Sequence, residues 1–281
     1  MINQVKQLSG ADASEGWRGF AGVYENLGPP LMPCGEDCRF IEQTISEWIA
    51  CHPGEQLSAL LLGVTPALVR ISWPAESFLT AVDRSHSMIQ SVWPGNIDSC
   101  RGAAQGDWLA LPIRDGSLDM VLGDGSPIAL RYSDGFRTLC RAIRTALRTG
   151  GVGALRVFVR PSVQEDPADV IADLPSNATF HQFKLRLLMA LQPSPEEGAH
   201  LDRVHRHWTA CNIDRTELER ETGWRREEID TIDRYRGLDD VYTFPTLQEL
   251  LALLGEFFSD TSVLVPSYPM GECCPTLVMR P

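Results

Sequence analysis

Lysine is almost missing from this chain. Only Lys6 and Lys184 among its 25 basic residues are lysines, a bias we ascribe to coding rather than chemistry. Positive charge as a whole is short, with a net charge of −12. A broad basic surface for phosphate contacts is therefore excluded, and no nucleic-acid partner is expected. Long apolar runs are missing too. The most apolar stretches, 58–69 and 247–258, are broken by Gly63 and Pro66 and by Gln248, Glu249 and Glu256. Neither reaches the ~18–20 apolar residues of a membrane span, so no membrane association is expected. The N-terminus lacks the basic-then-apolar pattern of an export signal.

Cysteine is too sparse for a disulfide framework. The eight cysteines (Cys34, Cys38, Cys51, Cys100, Cys140, Cys211, Cys273 and Cys274) are scattered over 281 residues, which suggests free thiols and a cytoplasmic location. Metal-ligand spacing is also wanting. Neither Cys34/Cys38 nor Cys273/Cys274 has the two-residue gap of a zinc knuckle, and His205 and His207 point to different faces of a helix, so no metal is expected. The context of Ser126, Gly-Asp-Gly-Ser-Pro, is no nucleophile elbow. The Gly-x-Gly-x-x-Gly cradle for a pyrophosphate is absent, which counts against a nicotinamide oxidoreductase.

What is present is ordinary globular material, 43% apolar and 22% charged, enough for one or two domains. Residues 58–64, 78–83, 118–124 and 153–159 are near-continuous apolar runs of strand length, suited to strands buried on both faces of a parallel sheet. Helical periodicity lies between and around them. Phe40, Ile41, Ile45, Trp48 and Ile49 mark a helix over 36–50 that Pro53-Gly54 stops. Tyr132, Phe136, Leu139, Ile143 and Leu147 mark another over 132–148, ended by Thr149-Gly150-Gly151. Such alternation predicts a doubly wound α/β sheet.

Residues 163–240 are polar and helical in flavour, with no obvious strand, and the mixed charge over 215–240 reads as a solvated face. Thr246 and Glu249 form a capping box ahead of a further helix, and 261–265 and 275–279 are two closing strands. The first ~35 residues, with Trp17, Phe20 and Tyr24, are expected to wrap on the body. We divide the chain into an N-terminal helical lead or lid, 1–54, and an α/β domain, 55–281, carrying a helical insertion at about 163–240.

Ligands of open α/β sheets bind beyond the carboxyl ends of the strands. Asp83 ends the second strand 20 residues after Gly63, where a carboxylate can accept both hydroxyls of a ribose; it could equally cap a helix. Asp107-Trp108 offers an acceptor for an exocyclic amine and a flat ring for a base, or else a surface turn with Trp108 in the core. Asp124 emerges between Gly123 and Gly125, as a general base or as an element of loop and ligand orientation. Asp119 reads as solubilising or capping. Trp17, Tyr24, Trp208, Tyr235 and Tyr242 either line an acceptor pocket or pack a helical cap.

The ordered set of motifs over 60–161 resembles the class I S-adenosylmethionine-dependent methyltransferases. Leu60-Leu-Leu-Gly-Val-Thr-Pro66 stands at their first motif, and Ala81-Val-Asp-Arg-Ser-His-Ser-Met88 at the acidic second-strand motif. Gly106-Asp-Trp-Leu-Ala-Leu-Pro112 looks like the adenine-contact motif, and residues 115–124 like the fourth-strand motif. Leu147-Arg-Thr-Gly-Gly151 is similar to the turn before the fifth strand. The resemblance implies a Rossmann-like, mostly parallel seven-stranded sheet with an antiparallel last strand, and S-adenosylmethionine as cofactor. It implies that Gly63 lets the cofactor's amino-acid portion pass close to the chain, that Thr65 offers it a hydroxyl, and that Asp83, with Arg84 beside it, holds the ribose. Asp107 would face the adenine amine, Trp108 or Met88 would pack on the base, and Asp124 would lie near the methionine amine or the acceptor, as the catalytic candidate. The first motif keeps a single glycine where the family has several. Two readings follow: a methyltransferase for a small-molecule acceptor, and a methyltransferase-like binding or scaffold protein without catalysis. The oligomeric state is left open.

Overall fold

The computed structural model describes residues 21–95 and 100–281, so Trp17 and Phe20 lie outside the described residues. The central sheet takes β1 (Ser58–Leu62), β2 (Phe78–Asp83), β3 (Arg101–Gln105), β4 (Leu118–Asp124) and β5 (Leu147–Arg156). A two-residue ribbon, β6 (Ala199–His200) and β7 (Val241–Tyr242), stands apart. Strands β8 (Asp260–Leu264) and β9 (Thr276–Arg280) close the sheet. Its order is β3-β2-β1-β4-β5-β9-β8. Neighbours from β3 to β5 are parallel, and β9 is antiparallel to both β5 and β8. This is the doubly wound, mostly parallel seven-stranded sheet with a reversed last strand that the sequence leads one to expect.

Side-chain alternation explains why the central strands read as continuous apolar runs. Leu60 and Leu62 of β1 pack on one side with Phe136, Leu139 and Ile143 of α4 (Asp134–Ala146) and Leu250 and Leu253 of α10 (Leu247–Leu254). Ala59 and Leu61 point the other way, to Ile41, Ile45 and Trp48 of α1 (Gly35–Cys51) and to Leu68 of α2 (Pro66–Val69) and Met88 of α3 (His86–Val92). Both faces of β1 are therefore covered, whereas Phe78 at the start of β2 stays exposed. At the head of α10 the capping box forms as expected: the Thr246 amide donates to Glu249 Oε2 at 2.7 Å, and the Glu249 amide to Thr246 Oγ1 at 3.2 Å.

Two expectations need correcting in this body. The helix read over 132–148 stops at Ala146, and Leu147 begins β5 at once. The Thr149-Gly150-Gly151 stretch serves a shift in strand register, with Leu118 opposite Leu147 but Met120 opposite Val152. Gly151 sits so tightly there that a Cβ would come within 3.0 Å of the Arg148 carbonyl and 3.1 Å of the Leu118 carbonyl. Asp119 is buried rather than solubilising. Its Oδ2 accepts the Ser58 amide at 2.7 Å and its Oδ1 pairs with Arg148, which ties β1, β4 and β5 together at their amino ends.

Between β5 and α10 lie α5 (Pro167–Ala172), α6 (Phe180–Ala190), α7 (Leu201–Ala210), α8 (Arg215–Thr222) and α9 (Arg226–Ile229). They are polar only outside. Phe180 meets Phe183 and Trp208 with ring centroids 5.6 Å apart and Trp224 at 5.8 Å, and nearly the whole of α6 is buried. The segment also holds β6, a strand where none was expected, paired with β7. The charges of 215–240, read as a solvated face, pair with one another, Arg215 with Asp230 and Asp233, and Arg226 with Glu219. Among the described residues no helix is long and apolar enough to cross a membrane.

Candidate functional site

The carboxyl ends of β1, β2 and β4 open on a single pocket of about 940 Å³, counted out to its mouth. Six of the residues picked from sequence border it together: Gly63, Thr65, Asp83, Met88, Trp108 and Asp124. Arg84 and Asp107 border the adjoining cavity, which shares Asp83, Trp108 and Tyr242 with the first.

The turn after β1 is built by one glycine. Gly63 has φ +98°, and its amide donates to the Val82 carbonyl at 2.8 Å, which holds the ends of β1 and β2 side by side. Pro66 then starts α2, where its missing N–H costs nothing. A Cβ on Gly63 would point between Trp108 Cζ2 at 3.7 Å and Asp83 Oδ2 at 3.9 Å, into the space a ligand would use. Gly63→Ala is expected to cost ~1–2 kcal/mol through its left-handed backbone, a fall of about 2–4 °C in Tm per kcal/mol in thermal unfolding. An unchanged Tm would show that the turn relaxes freely.

Asp83 is not a helix cap. Ser85 takes that role for α3 by accepting the Met88 amide on Oγ, while Asp83 Oδ1 accepts the Ser85 amide at 2.7 Å. Burial pushes the Asp83 carboxyl up to about 6, against the lowering effects of the Ser85 amide and Arg84. Trp108 lies against the pocket wall and donates Nε1–H to the Val82 carbonyl at 2.6 Å, which fixes its ring beside Gly63. Asp107 starts the short turn under it, with Oδ1 accepting the Leu109 amide at 2.9 Å. Arg84 contributes its carbonyl to Gln105 Nε2 at 3.0 Å.

Asp124 sits in a buried charge network. Arg156 donates Nε–H to Asp124 Oδ1 at 2.6 Å and an Nη1–H to the Pro30 carbonyl at 2.8 Å, and Asp37 stands 4.0 Å away. Burial raises the Asp124 carboxyl, and Arg156 and a hydrogen bond with Thr65 oppose that. Burial would lower Arg156, but Asp124 and Asp37 hold it above its ordinary value, so the guanidinium stays charged. Tyr24 reaches the same spot, hydrogen-bonded to Thr65, with its hydroxyl raised by burial and by Asp124. A carboxylate clamped in this way is set to orient more than to shuttle protons.

Of the aromatic residues singled out in the sequence, Tyr24, Tyr235 and Tyr242 border the pocket, Trp208 packs inside the helical cap, and Trp17 lies outside the described residues. Sequence reasoning missed Arg156, although a charge inside the apolar run Gly-Ala-Leu-Arg-Val-Phe-Val demands a buried partner. It also missed Ser126, whose hydroxyl donates to the Leu62 carbonyl at 2.8 Å, and Lys184. Among the described residues no group of three His, Cys, Asp or Glu is placed to hold a metal ion. No disulfide joins the cysteines among the described residues, and burial pushes the Cys273 and Cys274 thiols up to about 12.

Strand order, the reversed β9 and a pocket at the β1, β2 and β4 ends define the fold of the class I S-adenosylmethionine-dependent methyltransferases. No family model and no curated protein matches the sequence. Solved structures do. The chain is similar to a protein of Rhodobacter sphaeroides described as a candidate zinc-dependent alcohol dehydrogenase (13% identity, 94% of this chain and 98% of that one, TM-score 0.56). It is similar to the CurJ carbon methyltransferase, of which it spans 53% (12% identity, 86% of this chain, TM-score 0.50). It is also similar to the PH0226 protein of Pyrococcus horikoshii (14% identity, 92% of this chain and 98% of that one, TM-score 0.50). At such identities the likeness establishes the fold.

Proposed function

We propose that the chain is an S-adenosylmethionine-dependent methyltransferase for a small-molecule acceptor. The observation that carries the reading is the meeting of Asp83, Gly63 and Trp108 at the strand ends in a largely apolar pocket. The residues fit the cofactor. Asp83 has an oxygen turned toward Gly63 for the ribose hydroxyls, Trp108 and Met88 offer area for the base, and Asp107 lies in the adjoining cavity for its amine. Gly63 and Thr65 leave room at the backbone for the amino-acid portion, and Asp124, held by Arg156, orients it or the acceptor. The bound cofactor would supply a methyl group on sulfonium sulfur, which an acceptor lone pair takes while the C–S electron pair stays on sulfur. The chain's contribution is alignment in a dry site. We assign residues 24–32 and the insertion at 163–240 to a cover over the strand ends, while Gly35–Cys51 packs on the face of the sheet.

A single glycine in the first motif favours a second reading, a methyltransferase-like scaffold that binds without turnover. A nicotinamide enzyme would need a pyrophosphate cradle, and none follows β1.

Calorimetry with S-adenosylmethionine and S-adenosylhomocysteine, against NAD, tests the cofactor. Micromolar binding of the first two is expected. Failure of a folded protein to bind either would defeat the proposal. Because ribose hydroxyls donate to the ionised carboxylate, protons compete with the cofactor at Asp83. Affinity should fall as the pH drops through about 6, approaching tenfold per unit. Asp83→Asn should flatten that dependence at a lower affinity. A wild-type affinity constant from pH 7.5 to 5 would remove Asp83 from the ribose site.

A further inference from the structure

The pocket contains one lysine. Lys184, on α6, is fully buried and is the only cationic side chain bordering the pocket among the described residues. No carboxylate pairs with it there. Its Nζ donates one hydrogen bond, to Thr231 Oγ1 at 2.8 Å, and that hydroxyl spends its own proton on the Glu228 carbonyl at 2.6 Å. Its Nζ also lies 5.5 Å from the centre of the Tyr235 ring. The ionisable groups around it are neutral. Burial raises Tyr235 and Tyr242, and burial together with Lys184 drives His181 down to about 3, its Nε2 engaged with the Asn26 carbonyl. Desolvation alone lowers Lys184 itself, to about 7. Burial thus favours the uncharged amine, whose lone pair has no acid beside it to share it. Arginine, used at almost every other basic position, could not do this.

The surroundings say what it would meet. Leu31, Ile128, Phe158, Leu188, Tyr235 and Tyr242 line the pocket with aliphatic and aromatic side chains. An aliphatic amine would arrive protonated, and a base of this strength could not deprotonate it. A carboxylic acid would arrive already ionised and need no base. A phenol or an enol lies between the two, and that is where a neutral amine works best.

We propose that Lys184 binds and deprotonates an acidic O–H group, phenolic or enolic, on a flat apolar ligand in this pocket. The O–H bond breaks, its electron pair stays on oxygen, and the proton bonds to the Nζ lone pair; the ammonium returns it to water when the pocket empties. The purpose of the step, a nucleophilic oxygen, rests on the methyltransferase reading, but the site does not.

The test uses the full chain and methyl 4-hydroxybenzoate, whose ionised form absorbs at longer wavelength than the neutral phenol, at a pH above the about 7 of Lys184 and below the phenol's own pKa. The wild type is expected to bind it and to raise its ionised fraction severalfold, with or without S-adenosylhomocysteine. Lys184→Met, which matches the volume and removes only the amine, should lose at least tenfold of that signal. Lys184→Arg, which keeps a cation and cannot accept the proton, can ionise the phenol only by releasing a proton to the buffer, whereas the wild type holds that proton on Nζ and releases none; calorimetry in buffers of different ionisation enthalpy reads the difference. In Lys184→Met the Tm should hold and S-adenosylhomocysteine affinity should stay within about twofold of wild type. The proposal is overturned if the wild type leaves the phenol neutral or unbound, or if Lys184→Met ionises it equally. Ionised phenol in a wild type that binds no S-adenosylhomocysteine would keep Lys184 and defeat the methyltransferase reading; the converse result would do the opposite.

Discussion

Asp83→Ala is expected to abolish measurable S-adenosylhomocysteine binding while the protein stays folded. A carboxylate that accepts two hydroxyls makes two charge-assisted hydrogen bonds, each worth ~1.5–3 kcal/mol. Losing both weakens binding by about two to four orders of magnitude, since each ~1.4 kcal/mol is tenfold. The fold should lose little. Burial already disfavours the ionised form of Asp83, and the start of α3 is capped by Ser85 rather than by Asp83. Only the Ser85 amide loses an acceptor, at a cost of ~1 kcal/mol. Calorimetry beside a thermal melt separates the two effects. Near-native affinity in a folded variant would refute the ribose assignment.

Arg156→Leu is expected to have the larger effect on stability, about 3–5 kcal/mol. The substitution keeps an apolar stem in a β-strand but leaves Asp124 and Asp37 buried without their countercharge, and it frees the Pro30 carbonyl. It also removes the guanidinium packed 5.0 Å from the Phe158 ring centre. The deficit should depend on pH with a definite sign. Burial already raises the Asp124 carboxyl, and without the opposing guanidinium it titrates higher still in the folded state than in the unfolded chain, so the variant sheds its penalty as Asp124 takes up a proton. Urea unfolding should show the widest gap from wild type near pH 8 and a narrower one near pH 5. A gap below 1 kcal/mol that ignores pH would mean that the network is worth no more than its apolar replacement.

The strands that carry the site were the most legible part of the sequence. Phe78–Asp83 and Leu118–Asp124 are apolar on both faces and end in a carboxylate, so the run and its limit coincide. β3 is different. Its five residues, Arg-Gly-Ala-Ala-Gln, are half exposed and carry no run, and only the motif after them marks the place. The end of α4 was misread because Gly150-Gly151 suits a strand bulge as well as a helix stop, and only the pairing with β4 decides between them. The insertion looked polar because its surface charges outnumber its core residues along the chain, although Phe180, Trp208 and Trp224 come together in space. Gly63, Asp83 and Trp108 were readable because strand ends and spacing place them. Arg156 and Lys184 were not, because the groups that give them meaning (Pro30 and Asp37 for one, Thr231 and Tyr235 for the other) are far away in sequence.

The roof of the pocket has a bearing on how the molecule assembles. Tyr24, Leu27 and Leu31 come from a segment fastened at three places: Asn26 to His181, Pro29 to Thr179 and Pro30 to Arg156. Those contacts join residues 155, 150 and 126 positions apart. Contacts across such spans carry a heavy loop-closure cost and form late. The sheet can pair and the helical insertion can collapse on its own aromatic centre before the roof arrives. The ligand cavity is thus among the last parts of the chain to take shape, and a bound ligand, by holding roof to floor, acts chiefly as a brake on unfolding.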